Sequence, residues 1–419
     1  ACWSVTTGRH NVLMGRSAVD NITTAYGNTC LGYAAGDDIT TGSHNTVIGN
    51  LCDVGGGGSA YRIVMGYSAS GSANDSLLIG RGTTDSQIAF GETSSGNTNV
   101  KILINSSGVF GSAGGGVGTN KRNIGTAGYG RDKGIFAYGY AGSVTNAKNL
   151  VSNEGVVSSG ATGSGTARQS LQGTTYGDDK AIFAFGTAAS GNTAVSNLVS
   201  NTGVVGTDVS AVGDAKGAPC GLNFGTSGQG LFAYGVVSEN VNTRNIVSSA
   251  GVVASTVSGA GTARRSLGGT EYGTGLGIYA FGDAGSFSGV SNLVNTSGVI
   301  GSDVSAVGTA RTHTAGARYG SGGTALFAFG NTAGDNFINT RNLVNNVGVV
   351  ASDASGAGTA RYSVKAAEYG GDKAIFGFGE AASRTGVTNL VSNSGVVASD
   401  TSAVATANNS NEGVGYGYS

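Results

Sequence analysis

Hydrophobic residues at the start of the chain occur as short triplets, each followed by a glycine. These glycines are spaced 17, 17, 17 and 14 residues apart, at Gly15, Gly32, Gly49, Gly66 and Gly80. Each triplet is too short for a helix and lies between turn-forming Gly, Asn, Thr and Ser residues. The pattern therefore predicts one strand per coil of an all-β unit, a β-roll or β-solenoid over residues 1–83.

Consecutive positions are apolar in these triplets, so both faces of each predicted strand are hydrophobic. One face can fill the interior of the roll, whereas the other needs a cover. The simplest cover is an identical neighbour, which predicts a homo-oligomer.

The first repeats read HNVLMGRSA, NTCLGYAAG, HNTVIGNLC and SLLIGRG. They resemble the head repeats of trimeric autotransporter adhesins and similar repeats of phage tail fibres. In those families the roll is a homotrimer, so the resemblance implies a trimerisation domain for this part of the chain.

A longer repeat follows, and its clearest mark is an apolar strand that ends in an aromatic residue and a glycine. The aromatics are 47 to 49 residues apart, at Phe90, Tyr138, Phe185, Tyr234, Phe281, Phe329 and Phe378. A GTAR-like motif precedes each of six of these strands and recurs near the carboxyl end, always with an aromatic and a glycine eleven residues on. A period near 48 with almost no helical pattern favours a propeller.

Each long unit is predicted to hold four strands, one at the GTAR stretch, one at the aromatic strand and two after it. The last unit stops after its first strand, and residues 88–111 match the missing remainder. We therefore predict a seven-bladed β-propeller over residues 84–419, with one composite blade made of residues 86–111 and 405–418. Such closure by the two ends of the domain removes open sheet edges.

The unit GTARYSVKAAEYGGDKAIFGFG at 358–379 resembles a kelch repeat. It lacks the second glycine of the kelch doublet, and valines replace the tryptophan of the outer strand, as at Val204-Val205 and Val396-Val397. The resemblance implies a fold more than an activity, because propellers host unrelated functions. The repeats are also similar to long tandem repeats in predicted structural proteins of marine phages, which implies a virion protein.

The amino-acid composition excludes some classes of binding partner. The 419 residues include 78 Gly and one Pro, only 11% are charged, and the net charge is -1. With no basic run, neither nucleic acid nor an anionic membrane is an expected partner. No apolar run approaches 18 residues and no secretory signal is visible, so no membrane insertion is expected. Four cysteines follow no metal or disulfide spacing, which is compatible with buried thiols and a reducing cytoplasm during assembly.

Few residues suggest cofactor or metal chemistry, and no cofactor is predicted. His10 and His44 lie in equivalent turns, where a trimer could place rings of imidazoles around a transition metal, or each could simply bond the backbone of its turn. The long repeat holds one histidine, His313, and one cysteine, Cys220, in different blades, which argues against a copper oxidase. The sequence thus predicts no enzyme.

One basic residue recurs in each GTAR-like motif. The series is Lys121, Arg168, Lys216, Arg264, Arg311 and Arg361, with Asn408 in the closing unit. These side chains could ring a central channel and bind an anion. Alternatively each bonds backbone carbonyls or an aspartate such as Asp208, Asp303, Asp353 or Asp400.

Recognition is expected in the loops between the second and third strands, because these loops differ in sequence while other connections are uniform. Tolerance to change at loop tips explains the variation equally well. The candidate ligand-binding residues are Tyr140, Glu239, Asn240, Phe287, Asp335, Asn336, Phe337 and Arg384.

Three functions fit these patterns. The first is a viral tail or capsid fibre on the virion surface, assembled with other virion proteins, that attaches through its propeller loops to a host glycan or protein. The second is a bacterial surface adhesin built from the same parts. The third is a polysaccharide-degrading enzyme.

Overall fold

The computed structural model describes residues 8–54, 56–65, 77–79, 85–105, 118–153, 155–210, 213–402, 407–409 and 412–416. Every regular element in these ranges is a β-strand, which confirms the all-β class. None of the described residues forms a helix long and apolar enough to cross a bilayer. The chain divides into two compact units, Ala1–Thr83 with Ser419 and Thr84–Tyr418.

The first unit contains a parallel sheet with one strand from each short repeat. The strands are β1 (Val12–Met14), β2 (Thr29–Leu31), β3 (Thr46–Ile48), β4 (Ile63–Met65) and β5 (Leu77–Ile79). They lie side by side in chain order. Val12 is opposite Thr29, and Ile63 is opposite Leu77, so the repeat spacing becomes the sheet register.

The middle residue of each described triplet points into the unit. Cys30, Val47 and Val64 are fully buried in one hydrophobic cluster, and Leu13 packs against it. The flanking positions face outward, where Val12 is 51% and Met14 66% exposed. The prediction that these strands are apolar on both faces is thus confirmed for the described side chains.

Buried asparagines connect the successive repeats just before their strands. Asn28 Nδ2 donates to Asn11 Oδ1 (3.1 Å) and to the Gly42 carbonyl (2.9 Å). Asn28 Oδ1 accepts hydrogen bonds from both the main-chain and side-chain nitrogens of Asn45, each at 2.9 Å. Because buried amides must be paired, this ladder fixes the spacing of neighbouring repeats.

The second unit contains antiparallel strands. Its strands are β6 (Asp85–Thr93), β7 (Gly96–Ile104), β8 (Gly125–Tyr129), β9 (Lys133–Ala137), β10 (Ala147–Val151), β11 (Ala161–Thr162), β12 (Arg168–Gln169), β13 (Gln172–Tyr176), β14 (Lys180–Ala184), β15 (Thr187–Ala188), β16 (Gly191–Asn192), β17 (Ser196–Val199), β18 (Cys220–Phe224), β19 (Gln229–Ala233), β20 (Arg244–Val247), β21 (Gly268–Tyr272), β22 (Leu276–Ala280), β23 (Ser291–Val294), β24 (Ala315–Tyr319), β25 (Thr324–Thr332), β26 (Asn336–Val344), β27 (Lys365–Tyr369), β28 (Lys373–Gly377), β29 (Thr388–Val391) and β30 (Glu412–Tyr416).

In the described ranges these strands form seven repeat sheets and one small sheet, β12-β15-β16. Six repeat sheets follow chain order: β8-β9-β10 with β11 at its edge, β13-β14-β17, β18-β19-β20, β21-β22-β23, β24-β25-β26 and β27-β28-β29. The seventh has the order β30-β6-β7. In it Glu412 is opposite Ala89 and Tyr416 is opposite Asp85, so the two ends of the unit share a sheet, as the repeat offsets predict. Residues 106–111, 405–406, 410–411 and 417–418 of the predicted composite blade lie outside the described residues.

The strand assignment within a unit differs from the prediction in two ways. The first strand lies between the GTAR motif and the following aromatic, as Gln172–Tyr176 does, rather than at the motif. The predicted fourth strand is reduced to isolated bridges, such as Val199 with Val205. A side chain takes up the ladder's hydrogen-bonding groups there, because Asn197 Nδ2 donates to the Gly206 carbonyl (3.1 Å) and to Asp208 Oδ1 (3.0 Å).

Neighbouring sheets are joined through their first strands. Contacts link β8 to β13, β13 to β18, β18 to β21, β21 to β24, β24 to β27, β27 to β30 and β30 to β8. Main-chain hydrogen bonds join sheets at both ends of these strands, for example Ser170 N to Asn123 O (3.0 Å) and Gly177 N to Gly228 O (2.8 Å). Each first strand is thereby held in a fixed position beside the next.

Candidate functional site

The recurring basic residues lie buried between sheets. Arg168, Arg264, Arg311 and Arg361 are 0% exposed, and each guanidinium lies over an aromatic ring of the preceding repeat. The Arg311 guanidinium carbon is 3.6 Å from the centre of the Phe281 ring, which is close enough for a cation–π interaction. Burial lowers the pKa of Arg311 to about 10.

Arg168 and Arg361 also bond the carbonyl at the end of the aromatic strand, whereas Arg264 and Arg311 bond an asparagine side chain of the third strand. Arg361 Nε donates to the Phe378 carbonyl (2.7 Å) and Arg361 Nη2 to Asn389 Oδ1 (2.6 Å). Asp400 Oδ1 lies 3.8 Å from Arg361 Nη1, but its closer partner is Thr359. None of the six basic residues lines either of the two central cavities described below. The contacts therefore favour the structural alternative over an anion-binding ring.

Two cavities lie between the first strands of the second unit. The first, of about 430 Å³, is lined by residues from all seven first strands, including Gly128, Asn223, Glu271, Arg318 and Glu368. The second, of about 400 Å³, lies nearer the beginning of these strands, where His313 and Lys365 contribute to the wall. Both volumes lie within the range of about 300–1,000 Å³ typical of ligand pockets.

A ring of small residues separates the two cavities. Gly173, Gly221 and Gly316 are among them, with Thr126 and Ala366 at the equivalent positions of two other strands, and neighbouring strands approach closely there. A Cβ added to Gly173 would lie 2.4 Å from the Thr126 carbonyl oxygen. The sequence at this level is thus set by the contact between strands.

The first cavity carries a row of three charged side chains on successive sheets. Arg318 Nη1 lies 3.2 Å from Glu271 Oε2, and both side chains are about one-third exposed to the cavity. Glu368 accepts a hydrogen bond from the main-chain N–H of Arg318. Burial raises the pKa of Glu271 to about 7, against the lowering effect of Arg318, and burial also raises the pKa of Glu368.

The second cavity is less charged. His313 adopts a left-handed backbone (φ 53°), as Asn123, Ser170, Ala218, Ser266 and Ser363 do at equivalent positions. Its main-chain N–H donates to the Ser266 carbonyl (2.9 Å), which is one of the links between sheets. Burial, with Lys365 nearby, lowers the pKa of His313, so this imidazole is neutral at pH 7.

The predicted ligand-binding residues lie in the loops at the other end of the first strands from Glu271. Glu239, Asp335 and Asn336 are exposed, and the other five are partly buried. Several are held by the adjoining sheet: Arg384 Nη2 lies 3.4 Å from Glu92 Oε1, and Phe337 stacks on Tyr362 at 4.9 Å. Tyr140 lies under the Arg122 guanidinium, and the Asn240 amide donates to the Asp283 carbonyl (2.9 Å).

These eight residues are not gathered into one site. Phe287 forms an isolated β-bridge with Asp283 of its own loop. Asn336 Nδ2 donates to the Ala333 carbonyl of its own turn (3.0 Å). No hydrogen bond, ion pair or ring contact among the described residues joins two of the eight from different loops. They lie at separate loop tips on five of the repeat sheets, with none on β13-β14-β17.

Sequence reasoning missed the charged row in the first cavity. Its signal lies in the residue before the aromatic of each first strand, where the seven repeats read Gly128, Thr175, Asn223, Glu271, Arg318, Glu368 and Gly415. Alignment of the repeats shows charge at three adjacent units and glycine at two others. The charge at this position thus departs from the sevenfold repetition of the scaffold.

The two histidines of the first unit lie in left-handed turns, with φ of 62° at His10 and 61° at His44. The His44 main-chain N–H donates to the Tyr26 carbonyl (3.0 Å), and its ring stacks on Tyr61 at 4.9 Å. Among the described residues no group of three or more His, Cys, Asp or Glu could hold a metal ion.

No protein-family model matches the chain, and no curated protein matches its sequence.

Proposed function

We propose that this chain is the attachment fibre of a virus particle, in which the first unit is a trimeric β-roll and the second is a closed seven-bladed, kelch-like propeller. The fibre belongs to the tail or capsid surface and binds a host glycan or protein. The observation that carries the proposal is the outward apolar face of the parallel sheet, formed by Val12, Met14 and Ile63, which are 51%, 66% and 42% exposed.

The outward face supports self-association. Exposed apolar patches of this kind mark association surfaces in soluble proteins. Leu31 and Ile48, in register with Met14 on the next two strands, continue the face across the sheet and are partly exposed. A second and third copy of the same sheet would cover it with the same repeat spacing, as in the tail-fibre rolls that the sequence resembles.

The cycle of contacts between first strands supports the closed propeller. β30 contacts both β27 and β8, and Thr126 Oγ1 donates to the Gly413 carbonyl (3.4 Å). Sheets joined in this way have no free edge strand at the centre. The divergent loops then project from a rigid frame, which is the usual arrangement for recognition. The proposal assigns no catalytic step.

Loop replacement tests the attachment function. Replacing residues 331–338 by a Gly-Ser loop removes Asp335, Asn336 and Phe337, and we expect adsorption of the virus particle to host cells to fall while the melting temperature stays the same. A matched control replaces the exposed residues Asn346 and Val347, in a turn at the other end of the sheet, by Gly and Ser. If grafts in several loops leave adsorption unchanged, the propeller is a spacer and not the receptor-binding part.

Self-association is tested on the full chain by light scattering. We expect a trimer, and we expect Val12→Gln with Met14→Gln to lower its mass toward that of a monomer. A chain that is monomeric without these changes would contradict the trimer. Mass spectrometry of purified virions then decides whether the chain is a particle component.

A further inference from the structure

The lining of the second cavity contains several uncharged groups that can both donate and accept hydrogen bonds. Ser170, Ser266 and Ser363 contribute hydroxyls, Gln172 a carboxamide and His313 an imidazole. Each of these groups, with the imidazole neutral, contains a donor and an acceptor. Among the residues that the structure describes, none of these five side chains forms a hydrogen bond within the protein. Their hydrogen-bonding groups are therefore open to a ligand in the cavity.

Charge contributes little to this lining. Lys365 is the charged residue of the lining, and it already takes part in an interaction within the protein. Burial and the nearby Lys365 lower the pKa of His313, while Asp283 and Arg265 act on this pKa in opposite directions, and the imidazole is neutral at pH 7. The lining thus offers a ligand hydrogen bonds rather than ion pairs.

Three aromatic side chains lead from this cavity to a divergent loop. The His313 ring lies edge-on to the Tyr362 ring, with 5.8 Å between the ring centres. Phe337, from the loop region 331–338, stacks on the other partner of this pair, Tyr362, at 4.9 Å. Both Tyr362 and Phe337 are partly exposed. We call His313, Tyr362 and Phe337 the aromatic rim.

The aromatic rim is held in place by regular main-chain pairing. Phe337 is opposite Asn331 in the hairpin of β25 and β26. Tyr362 and Glu380 exchange two main-chain hydrogen bonds, each of 2.9 Å, and the Tyr362 side chain also bonds to Glu380. Because these rings are fixed before a ligand arrives, little conformational entropy is lost when one binds.

The sevenfold scaffold does not require these aromatic residues. At the position of Tyr362 the other repeats have Arg, Gln, Gly, Arg, Thr and Asn, and at the position of His313 they have Asn, Ala or Ser. His313 has a left-handed φ of 53°, but Ser266 and Ser363 adopt nearly the same value, 50° and 51°. The backbone at this position therefore accepts serine as well as histidine.

We propose that the second cavity binds the end of a saccharide chain, with the terminal sugar among the serine hydroxyls, Gln172 and His313. The next sugar lies against Tyr362 and Phe337. Sugar hydroxyls donate and accept hydrogen bonds as the groups of the lining do, and the C–H face of a sugar ring packs on the negative face of an aromatic ring. The volume of about 400 Å³ admits a hexose. This site rests on the attachment function proposed above and identifies the receptor as a glycan.

Saturation-transfer NMR of the full chain with defined probes tests the site. Maltose, lactose, mannobiose and diacetylchitobiose are neutral disaccharides, glycerol is an acyclic polyol, and the blocked tripeptide Gly-Phe-Gly carries an aromatic side chain. We expect saturation transfer to at least one disaccharide, strongest at the C–H protons of one ring face. We expect none to glycerol or to the peptide, because neither presents a ring of hydroxyls with an apolar face.

Variants locate the binding on the aromatic rim. Phe337→Ala and Tyr362→Ala should each weaken disaccharide binding about tenfold, because each removes a stacking surface. Phe337→Leu keeps most of the side-chain volume and should also weaken binding. His313→Ser should weaken it about threefold or more through the lost imidazole. Phe287→Ala is the matched control, since Phe287 is partly exposed in another divergent loop and does not line the second cavity.

Thermal melting first shows that each variant is folded. Saturation transfer to none of the disaccharides, or transfer to Gly-Phe-Gly, would overturn the site. Disaccharide binding that is unchanged in folded Phe337→Leu and His313→Ser, or that falls equally in Phe287→Ala, would also overturn it.

Competition separates this site from the attachment function. We expect the disaccharide that binds to reduce adsorption of the virus particle to host cells, which would support both proposals. Disaccharide binding at the rim without any effect on adsorption would support the site and contradict its role in attachment. Loop grafts that lower adsorption of a protein that binds no disaccharide would support attachment and contradict the site.

Discussion

The two units bury their strands differently. Both are built from short strands separated by Gly-rich turns, and both repeat at a fixed period. In the first unit, a parallel sheet buries Cys30, Val47 and Val64 on one side and leaves Val12 and Met14 exposed on the other. In the second unit, a central strand such as β19 is buried on both faces, because Phe232 lies in one hydrophobic cluster and its neighbour Leu231 in another.

The polar groups follow the same contrast. The first unit pairs its repeats through neutral amides, with Asn11, Asn28 and Asn45 in a ladder. The second unit buries charged residues such as Arg264 and Arg311 between sheets, where aromatic rings and carbonyls receive them. Charged residues thus lie at the junctions of one unit, while the other leaves an apolar face exposed.

The largest expected effect is on closure of the second unit. Deletion of residues 405–419 removes β30 and leaves β6 with β7 as its only partner of the two, so the cooperative unfolding of this unit should be lost or its free energy lowered by several kcal/mol. The first unit should unfold as before. Deletion of residues 417–419 alone spares β30 and serves as the control in calorimetry. Unchanged melting after the longer deletion would contradict a closed ring.

The second largest expected effect on stability is the loss of a buried guanidinium. Arg361→Ala leaves the Phe378 carbonyl and Asn389 without their charged donor, and we expect unfolding free energy to fall by about 3–5 kcal/mol. Arg265→Ala removes a half-exposed ion pair with Asp283 and should cost less than about 1 kcal/mol. Denaturant titration measures both. If both substitutions lower the unfolding free energy equally, burial of the arginine between sheets does not increase its contribution to stability.

Much of this architecture could be predicted from spacing alone. Repeat offsets give the sheet register of Val12 with Thr29 and the pairing of the two ends of the second unit, because strand pairing depends on equal lengths between repeats. The missing fourth strand could not be predicted, since a side chain, Asn197, takes the place of a backbone partner. The charged row was not predicted, because Glu271 and Arg318 are far apart in the sequence and meet only where β21 lies beside β24.

Within the first unit, the asparagine ladder predicts a smaller loss. Asn28→Ala leaves the Gly42 carbonyl and the Asn45 main-chain N–H without their partners, so the unfolding free energy of this unit should fall by about 2 kcal/mol. Asn21 is exposed, and Asn21→Ala should change the unfolding free energy of this unit by less than about 0.5 kcal/mol. If the two substitutions have equal effects in calorimetry, the ladder does not hold the repeats together.

The smallest effect is a pH dependence of opposite sign in the two units between pH 8 and 9. Burial lowers the pKa of Lys121 to about 7, so the unfolded chain binds more protons there and the second unit should gain stability as pH rises. Burial raises the pKa of Cys30 to about 12, so the unfolded thiol ionises first and the first unit should lose stability. Each slope is at most about 1.4 kcal/mol per pH unit.

Separate thermal transitions for the two units measure these slopes. Lys216→Met should reduce the gain in the second unit, since burial lowers the pKa of Lys216 to about 8. Cys30→Ala should reduce the loss of stability of the first unit with rising pH and should leave the stability of the second unit unchanged. Glu271 does not contribute in this window, because it is already ionised in both folded and unfolded states above its pKa. Slopes of the same sign in both units would mean that buried charge is not what distinguishes them.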